Sequence, residues 1–147
     1  MFDVFVAQLR CPCCSMVLAE AEIQTHIRDG SADGSSLGIG FEFDPADLEA
    51  ESILDADYTL VRHPDANKQI QLLDTWICPQ CETEQWAMVK ISDQRIFSIE
   101  AVKLDRKTLE SANFISEVNA DLLAELLTGE EPIIGENSVE ILRRKLP

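Results

Sequence analysis

The sequence predicts an α+β fold, in which an antiparallel β-sheet forms first along the chain and a C-terminal α-helix packs on it. Short segments with apolar residues at alternate positions occupy most of the chain up to residue 104. From residue 105, apolar residues recur every three or four positions, as on one face of a helix. Strands that precede helices in this way are typical of α+β proteins.

Length and composition predict a single domain over residues 1–147. Of the 147 residues, 46% are hydrophobic, which is enough for one compact core. We expect a β platform with a long insert between two cysteine motifs, followed by a helical segment at 105–147. The longest apolar runs are too short to cross a membrane. The first residues lack the basic start and apolar stretch of a secretory signal, so we expect a cytoplasmic protein.

The first part of the chain is predicted to contain three strands and a short helix. Alternating residues indicate strands at 2–9, around Phe2, Val4 and Val6, in the second half of 17–27, and at 39–43. Pro45 ends the third strand and opens a helix that continues to residue 54.

Four more strands are predicted before the C-terminal segment. Residues 58–62 and 70–77 have strand character, and the second of these leads into Cys78. Residues 84–91 and 95–104 are predicted to pair as a hairpin, with its turn near Ser92-Asp93-Gln94.

One long helix is predicted from Arg106 to Thr128, with Asp105 as its N-cap and with Gly129 and Pro132 ending it. Its expected buried face consists of Leu109, Ala112, Ile115, Val118, Leu122 and Leu126. On this basis Leu122 is buried, and its neighbour Asp121 is exposed and tolerant of substitution. A last short helix or turn follows, carrying Val139, Ile141 and Leu142.

Four of the five cysteines are predicted to hold a single structural zinc ion. Cys11 and Cys14 form one Cys-Pro-x-Cys motif, and Cys78 and Cys81 form another, each after a predicted strand. A Cys-x-x-Cys turn lets two sulfurs converge on one metal, and zinc favours four thiolates in a tetrahedron. In a reducing compartment such paired cysteines are more often metal ligands than disulfides. Four thiolates close the coordination shell, which argues against catalysis at the metal.

These two motifs resemble the knuckles of the zinc-ribbon family, over roughly residues 5–27 and 70–91. The resemblance implies two β-hairpins that grip one zinc, and it implies no particular activity. Family knuckles often have glycine after the second cysteine, whereas Ser15 and Glu82 stand there in this chain. The first knuckle also contains an additional thiol, Cys13.

The cysteines and histidines also allow other chemistries. Cys-Pro-x-Cys also occurs in thioredoxin-like enzymes, but there the motif opens a helix, and here both copies lead into strands. Cys13 is either a buried small residue, a reactive thiol, or a ligand in place of Cys14. His26 and His63 are the only histidines, and neither lies at motif spacing from a nucleophile or carboxylate.

The composition favours a basic protein as partner. Twelve basic and 27 acidic residues give a net charge of −15, which repels nucleic acid and anionic lipid. Between Phe41 and Asp57 there are acidic residues and no basic ones, so this segment is either a solvated face or a docking patch. The residues assigned to the partner surface are Glu42, Asp44, Asp47, Glu49, Trp76 and Trp86. The tryptophans have a second interpretation, as packing around the zinc thiolates.

We therefore expect a non-catalytic, zinc-stabilised acidic protein, of which a bacterial antitoxin or immunity protein is one example. Two alternatives stay open. One is an enzyme that uses Cys13 with a histidine, or scattered acidic residues. The other is a zinc ribbon that binds nucleic acid through a local patch of Lys103, Arg106, Lys107 and the basic C-terminal residues.

Overall fold

The computed structural model describes residues 3–28, 34–65, 69–129 and 137–147. Phe2, Pro132 and most of the glycine- and serine-rich loop after Arg28 lie outside this part of the chain. No helix within the described ranges is long and apolar enough to cross a membrane.

The first sheet has three strands in the order β2-β1-β3. Strand β1 (Asp3–Arg10) pairs antiparallel with β2 (Val17–Thr25), with an irregularity between Ala7 and Leu9, and parallel with β3 (Ser36–Leu37). The first two strands confirm the sequence pattern.

The strand predicted at 39–43 is wrong. Gly40 has φ +93°, and the Phe41 N–H donates to the Gly38 carbonyl at 3.0 Å, so the segment turns. The segment then makes only one isolated β-bridge, between Glu42 and Arg95. A 3-10 helix (Pro45–Leu48) and α1 (Ala50–Asp55) follow, in agreement with the predicted helix.

The second sheet has five strands in the order β4-β8-β5-β6-β7. It consists of β4 (Tyr58–Leu60), β5 (Ile70–Ile77), β6 (Glu84–Ser92), β7 (Arg95–Val102) and β8 (Phe114–Ser116). The strands from β5 to β7 form an antiparallel meander, which contains the predicted hairpin of β6 and β7, with Asp93 and Gln94 at φ +51° and +67° in its turn. The short strand β8 lies parallel to β5, so neither sheet is wholly antiparallel.

The predicted long helix is wrong in its middle. Helix α2 (Arg106–Ser111) begins at the predicted N-cap, where the Asp105 carboxylate accepts from the Thr108 N–H at 2.7 Å, but the helix ends after six residues. Strand β8 follows, then α3 (Glu117–Thr128), which ends at Gly129 as predicted, and α4 (Ser138–Lys145).

Asn113 explains the interruption. Its side chain is buried, accepts from the Gln71 N–H at 2.8 Å and donates to the Arg62 carbonyl at 3.2 Å. Its own backbone N–H donates to the Gln71 carbonyl, and its carbonyl accepts from Val61. These hydrogen bonds hold residues 112–114 in an extended conformation beside the sheet. A helical conformation of the same residues could not make them.

The five-stranded sheet lies between two layers, which confirms the α+β class. Residues on one of its faces, such as Leu72, pack with Phe5 and Ile23 of the three-stranded sheet. Residues on the other face, such as Leu73, pack with the helices, where α4 contributes Val139, Ile141 and Leu142. Alternate side chains of one strand therefore enter two different hydrophobic clusters.

The buried face expected for the long helix is only half correct. Leu109, Ala112 and Ile115 are buried, although they belong to a helix, a linker and a strand. Val118, Leu122 and Leu126 are 60%, 52% and 81% exposed, because α3 turns Ala120 and Ala124 towards the core instead.

Candidate metal centre

The first Cys-Pro-x-Cys motif forms a tight turn between β1 and β2. The Cys11 N–H donates to the Met16 carbonyl at 2.8 Å, and the Ser15 N–H donates back to the Cys11 carbonyl at 2.9 Å. Ser15 has φ +65°, a left-handed conformation that reverses the chain directly after the second cysteine.

The second motif repeats this geometry between β5 and β6. The Cys78 N–H donates to the Thr83 carbonyl at 3.0 Å, and the Glu82 N–H donates to the Cys78 carbonyl at 2.8 Å. Glu82 has φ +56°. The internal repeat seen in the sequence is thus a repeat of backbone structure.

The two turns bring together the sulfurs of Cys11, Cys14, Cys78 and Cys81, all within 4.8 Å of one another. The Cys11 and Cys81 sulfurs are 3.6 Å apart, as are those of Cys14 and Cys78. Four sulfurs in a tetrahedron at the zinc–sulfur distance of about 2.3 Å would be about 3.8 Å apart. The cluster therefore has the dimensions of a site for one metal ion.

The electrostatics of the cluster also favour a cation. A hydrogen bond from the Thr83 hydroxyl, 2.9 Å from the sulfur, lowers the pKa of Cys81 to about 6. Although a hydrogen bond from the Met16 N–H acts in the opposite direction, burial and the neighbouring thiols raise the pKa of Cys14 to about 12. Four thiols this close do not all ionise near neutral pH unless positive charge is shared among them.

Cys13 lies outside the cluster. Its side chain is exposed, and it does not belong to the group of four sulfurs. Negative charge on Cys81 raises the pKa of Cys13, which disfavours a reactive thiolate. Of the two candidates in the first knuckle, the geometry selects Cys14.

The residues expected to contact a partner are partly engaged within the chain. Glu42 pairs with Arg95 at 3.3 Å, and the Asp44 carboxylate accepts from the Ala46 N–H as the cap of the 3-10 helix. Burial and the charge of Asp44 raise the pKa of Asp47. Glu49 is exposed. The segment thus presents acidic side chains, but two of them already have partners.

The tryptophans do not form an exposed platform. Trp76 is 2% exposed and packs between the sheets, where it also lines the cleft described below. Trp86 is half-buried against the cluster beneath the helices. Only Trp76 shares a hydrophobic cluster with the cysteines, as packing around the thiolates would require, whereas Trp86 lies on the helix side of the sheet.

A second polar site, missed from the sequence, lies in a cleft of about 580 Å³ beside β2, which we call the β2 cleft. Its carboxylates come from Glu20, Glu22, Asp57, Asp74 and Glu84, on four separate elements or turns. His26 also lines it, with its Nε2 3.7 Å from an Asp57 oxygen, whereas His63 is exposed in the loop after β4.

The floor of the β2 cleft is a chain of buried hydrogen bonds. The Ile27 N–H donates to the Thr25 hydroxyl at 3.2 Å, Thr25 and Tyr58 are linked at 2.9 Å, and the Tyr58 hydroxyl donates to Asp74 at 2.7 Å. Burial raises the pKa of Asp74 to about 7. One feature of the sequence indicated this buried polar group. Asp74 shares a strand face with Leu72 and Trp76, where an apolar residue is expected.

No family model, curated protein or solved structure matches the chain. The four-cysteine cluster and the two-sheet α+β fold therefore define it as a protein with a candidate metal centre of four thiols. The four-cysteine cluster agrees with the expected metal site, and no family model identifies the chain as a zinc ribbon.

Proposed function

We propose that the four sulfurs bind one structural zinc ion, and that the chain is a non-catalytic acidic protein that binds a basic protein partner. The observation that carries the proposal is the convergence of Cys11, Cys14, Cys78 and Cys81 from two equivalent turns. Four protein sulfurs leave no coordination position for water or substrate, which suits a structural role.

Zinc is the ion that this donor set favours. A tetrahedral set of four sulfurs suits zinc or iron, and harder ions such as magnesium and calcium prefer oxygen. Since the metal would join hairpins from both sheets, its binding free energy would contribute directly to folding. A reducing compartment such as the cytoplasm suits these ligands, because the thiols must stay unoxidised.

The charge supports a basic partner. At −15 the surface attracts cationic proteins over long range and repels phosphate backbones. An immunity protein or antitoxin that covers the basic cleft of a nuclease is one role within this class. The segment at 41–57 supplies one acidic surface for such a contact, and the β2 cleft supplies another.

The metal half of the proposal is tested by elemental analysis of protein purified without chelator. We expect about one zinc per chain, with little iron. Removing the ion with a chelator should lower the melting temperature and loosen the sheet. Protein that contains no zinc and is indifferent to the chelator would contradict a structural metal.

The partner half is tested by capture of proteins from native lysate at increasing salt. Capture of a basic protein should weaken steeply between 0.1 and 1 M salt, where the Debye length falls from about 10 Å to about 3 Å. A matched pair of variants would locate the contact. One carries Glu42→Gln, Asp44→Asn, Asp47→Asn and Glu49→Gln, and the control carries Glu100→Gln, Glu117→Gln, Glu125→Gln and Glu140→Gln. Equal capture by both variants would exclude the segment at 41–57.

A further inference from the structure

Strand β2 has a free backbone edge. In the described part of the chain it pairs only with β1, and it forms the outer strand of the order β2-β1-β3. Every second residue of such an edge strand directs its N–H and C=O away from the sheet. These groups are a template for another extended chain. The β2 cleft lies beside this strand, since alternate residues of β2 contribute to its wall.

The side chains along this strand are acidic and regularly spaced. Glu20 and Glu22 are exposed and both line the cleft. Residues two positions apart in a strand, such as Glu20 and Glu22, are separated by about 6.6–6.8 Å. Alternate side chains of an extended peptide paired with β2 would have the same spacing. Glu84 and Asp57 add carboxylates to the cleft from other parts of the fold. Charge and spacing together match an extended segment with a cation at every second position.

The wall of the cleft also contains an unused hydrogen-bond donor. Trp76 lines the cleft and is 2% exposed, and its indole N–H has no hydrogen-bond partner among the described residues. Buried donors without a partner are rare in native proteins, and such a group needs an acceptor, which a water molecule, an ion or a bound ligand can supply. A carbonyl oxygen is the acceptor that a peptide backbone would supply.

We propose that the β2 cleft binds an extended, lysine- or arginine-rich segment of a protein partner, which adds to β2 as a further strand. The bound segment supplies backbone hydrogen bonds to β2, cationic side chains to Glu20 and Glu22, and a carbonyl to Trp76. Strand addition of this kind obtains affinity from the backbone and specificity from alternate side chains. The proposal rests on the proposed function, because it names the surface that a basic partner would use.

Two other occupants fit less well. A divalent cation needs several ligands at short range, yet among the described residues only the cysteines form a cluster of metal-binding dimensions. A nucleic-acid strand would face several carboxylates in the cleft, and no lysine or arginine is among the described residues that line it.

The test uses the full chain with its metal and a synthetic peptide of about six residues in which lysine and threonine alternate. We expect calorimetric binding that weakens with salt. A peptide of the same composition with its lysines in one block should bind more weakly. A version N-methylated at alternate amides, which keeps its charge but cannot pair with a strand, should lose most of the affinity.

Variants then assign the site. Glu20→Gln with Glu22→Gln should lower affinity for the alternating peptide by about tenfold, while the matched control Glu100→Gln with Glu125→Gln should leave it unchanged. On addition of peptide, the indole N–H resonance of Trp76 should shift downfield in the NMR spectrum, a change that simple charge attraction to the surface would not produce.

Each contrary result overturns the proposal. Equal binding of the N-methylated peptide would mean attraction by charge alone, and no binding at low salt would mean that the glutamates only protect an edge strand. The variant neutralised at 42–49 could fail to capture a basic partner that Glu20→Gln with Glu22→Gln still captures. This result would keep the proposed function but place the contact on the segment at 41–57 instead of the β2 cleft. Failure of the proposed function itself would appear as no salt-dependent capture by any form of the chain.

Discussion

Ser15 and Glu82 occupy equivalent positions in the two halves of the metal centre. Each follows the second cysteine of its motif, and each donates its N–H to the carbonyl of the first cysteine, at 2.9 and 2.8 Å. Each also has a positive φ, of 65° and 56°. A side chain in this conformation is strained, so serine and glutamate at these positions carry an energetic penalty relative to glycine.

Glycine at these two positions should therefore stabilise the protein. Relief of the left-handed strain is worth about 1–2 kcal/mol, against which the greater freedom of glycine in the unfolded chain costs about 0.5–1 kcal/mol. Ser15→Gly and Glu82→Gly should each raise the free energy of unfolding by about 0.5 kcal/mol. Chemical denaturation measures this. Ser15→Ala and Glu82→Ala, which keep a Cβ atom, are the controls, and an equal gain in them would point to charge or exposure instead.

The cysteines should fall into two groups. Cys78→Ser, Cys81→Ser, Cys11→Ser and Cys14→Ser should each lose the metal and destabilise the fold, because a structural zinc site contributes roughly 10–16 kcal/mol of apparent binding free energy. Cys13→Ser should retain metal and stability, because its thiol is exposed and outside the cluster. Elemental analysis and thermal melting report both properties. Full zinc content in Cys78→Ser would remove the metal assignment.

Asp74 should make stability depend on pH. The folded protein holds its proton until about pH 7, whereas an unfolded chain releases it near pH 4. The folded state therefore binds more protons between these values, and the contribution of Asp74 to stability declines as pH rises from about 4 to about 7. The full change is at most about 4 kcal/mol. Tyr58, His26 and Glu84 are the titratable groups that act on it.

Asp74→Asn isolates this effect, since the amide cannot ionise but keeps the shape of the side chain. We would measure the free energy of unfolding of both proteins across pH 5.5–8.5. As pH rises, the variant should gain stability relative to the wild-type protein. A constant difference over this range would mean that Asp74 does not titrate in the folded protein. The comparison also cancels any effect of pH on the metal centre, which both proteins share.

Two leucines from the face predicted to be buried should differ in what their truncation costs in stability. Leu109 of α2 is fully buried, so Leu109→Ala should lower the free energy of unfolding by about 2–5 kcal/mol. Leu122 of α3 is 52% exposed, so Leu122→Ala should change it by less than about 1 kcal/mol. Similar denaturation midpoints for the two variants would contradict this placement of the helices.

Asp121 should be less tolerant of substitution than the sequence predicts. Although its side chain is exposed, its carboxylate accepts a hydrogen bond from the Ser138 hydroxyl, which joins α3 to α4. Asp121→Ala should therefore lower the free energy of unfolding by about 0.5–1.5 kcal/mol, for the lost bond, in chemical denaturation.

The elements that depend on neighbouring residues could be predicted from the sequence. The boundaries of β5, Ile70–Ile77, follow from local alternation, and the Asp93-Gln94 turn follows from the short link between two strands. The metal cluster was also predictable, because a Cys-Pro-x-Cys turn already directs both of its sulfurs to one point.

The elements in which distant contacts override the local sequence pattern could not be predicted. Leu109, Ala112 and Ile115 have helical spacing, yet Asn113 binds strands on either side and pulls the chain out of the helix. Periodicity also cannot show which apolar face is covered, as the exposure of Leu126 demonstrates. The β2 cleft was missed because its residues come together only when the two sheets pack.

The position of β8 determines the order in which the second sheet can be completed. The meander of β5, β6 and β7 needs only neighbouring segments, and the second knuckle lies within it. Strand β4 instead pairs with β8, whose residues come more than fifty positions later. During synthesis on the ribosome, all four cysteines emerge before β8 does, so metal capture can precede closure of the sheet. Folding should then show a metal-dependent early step and a slower late step set by residues 114–116.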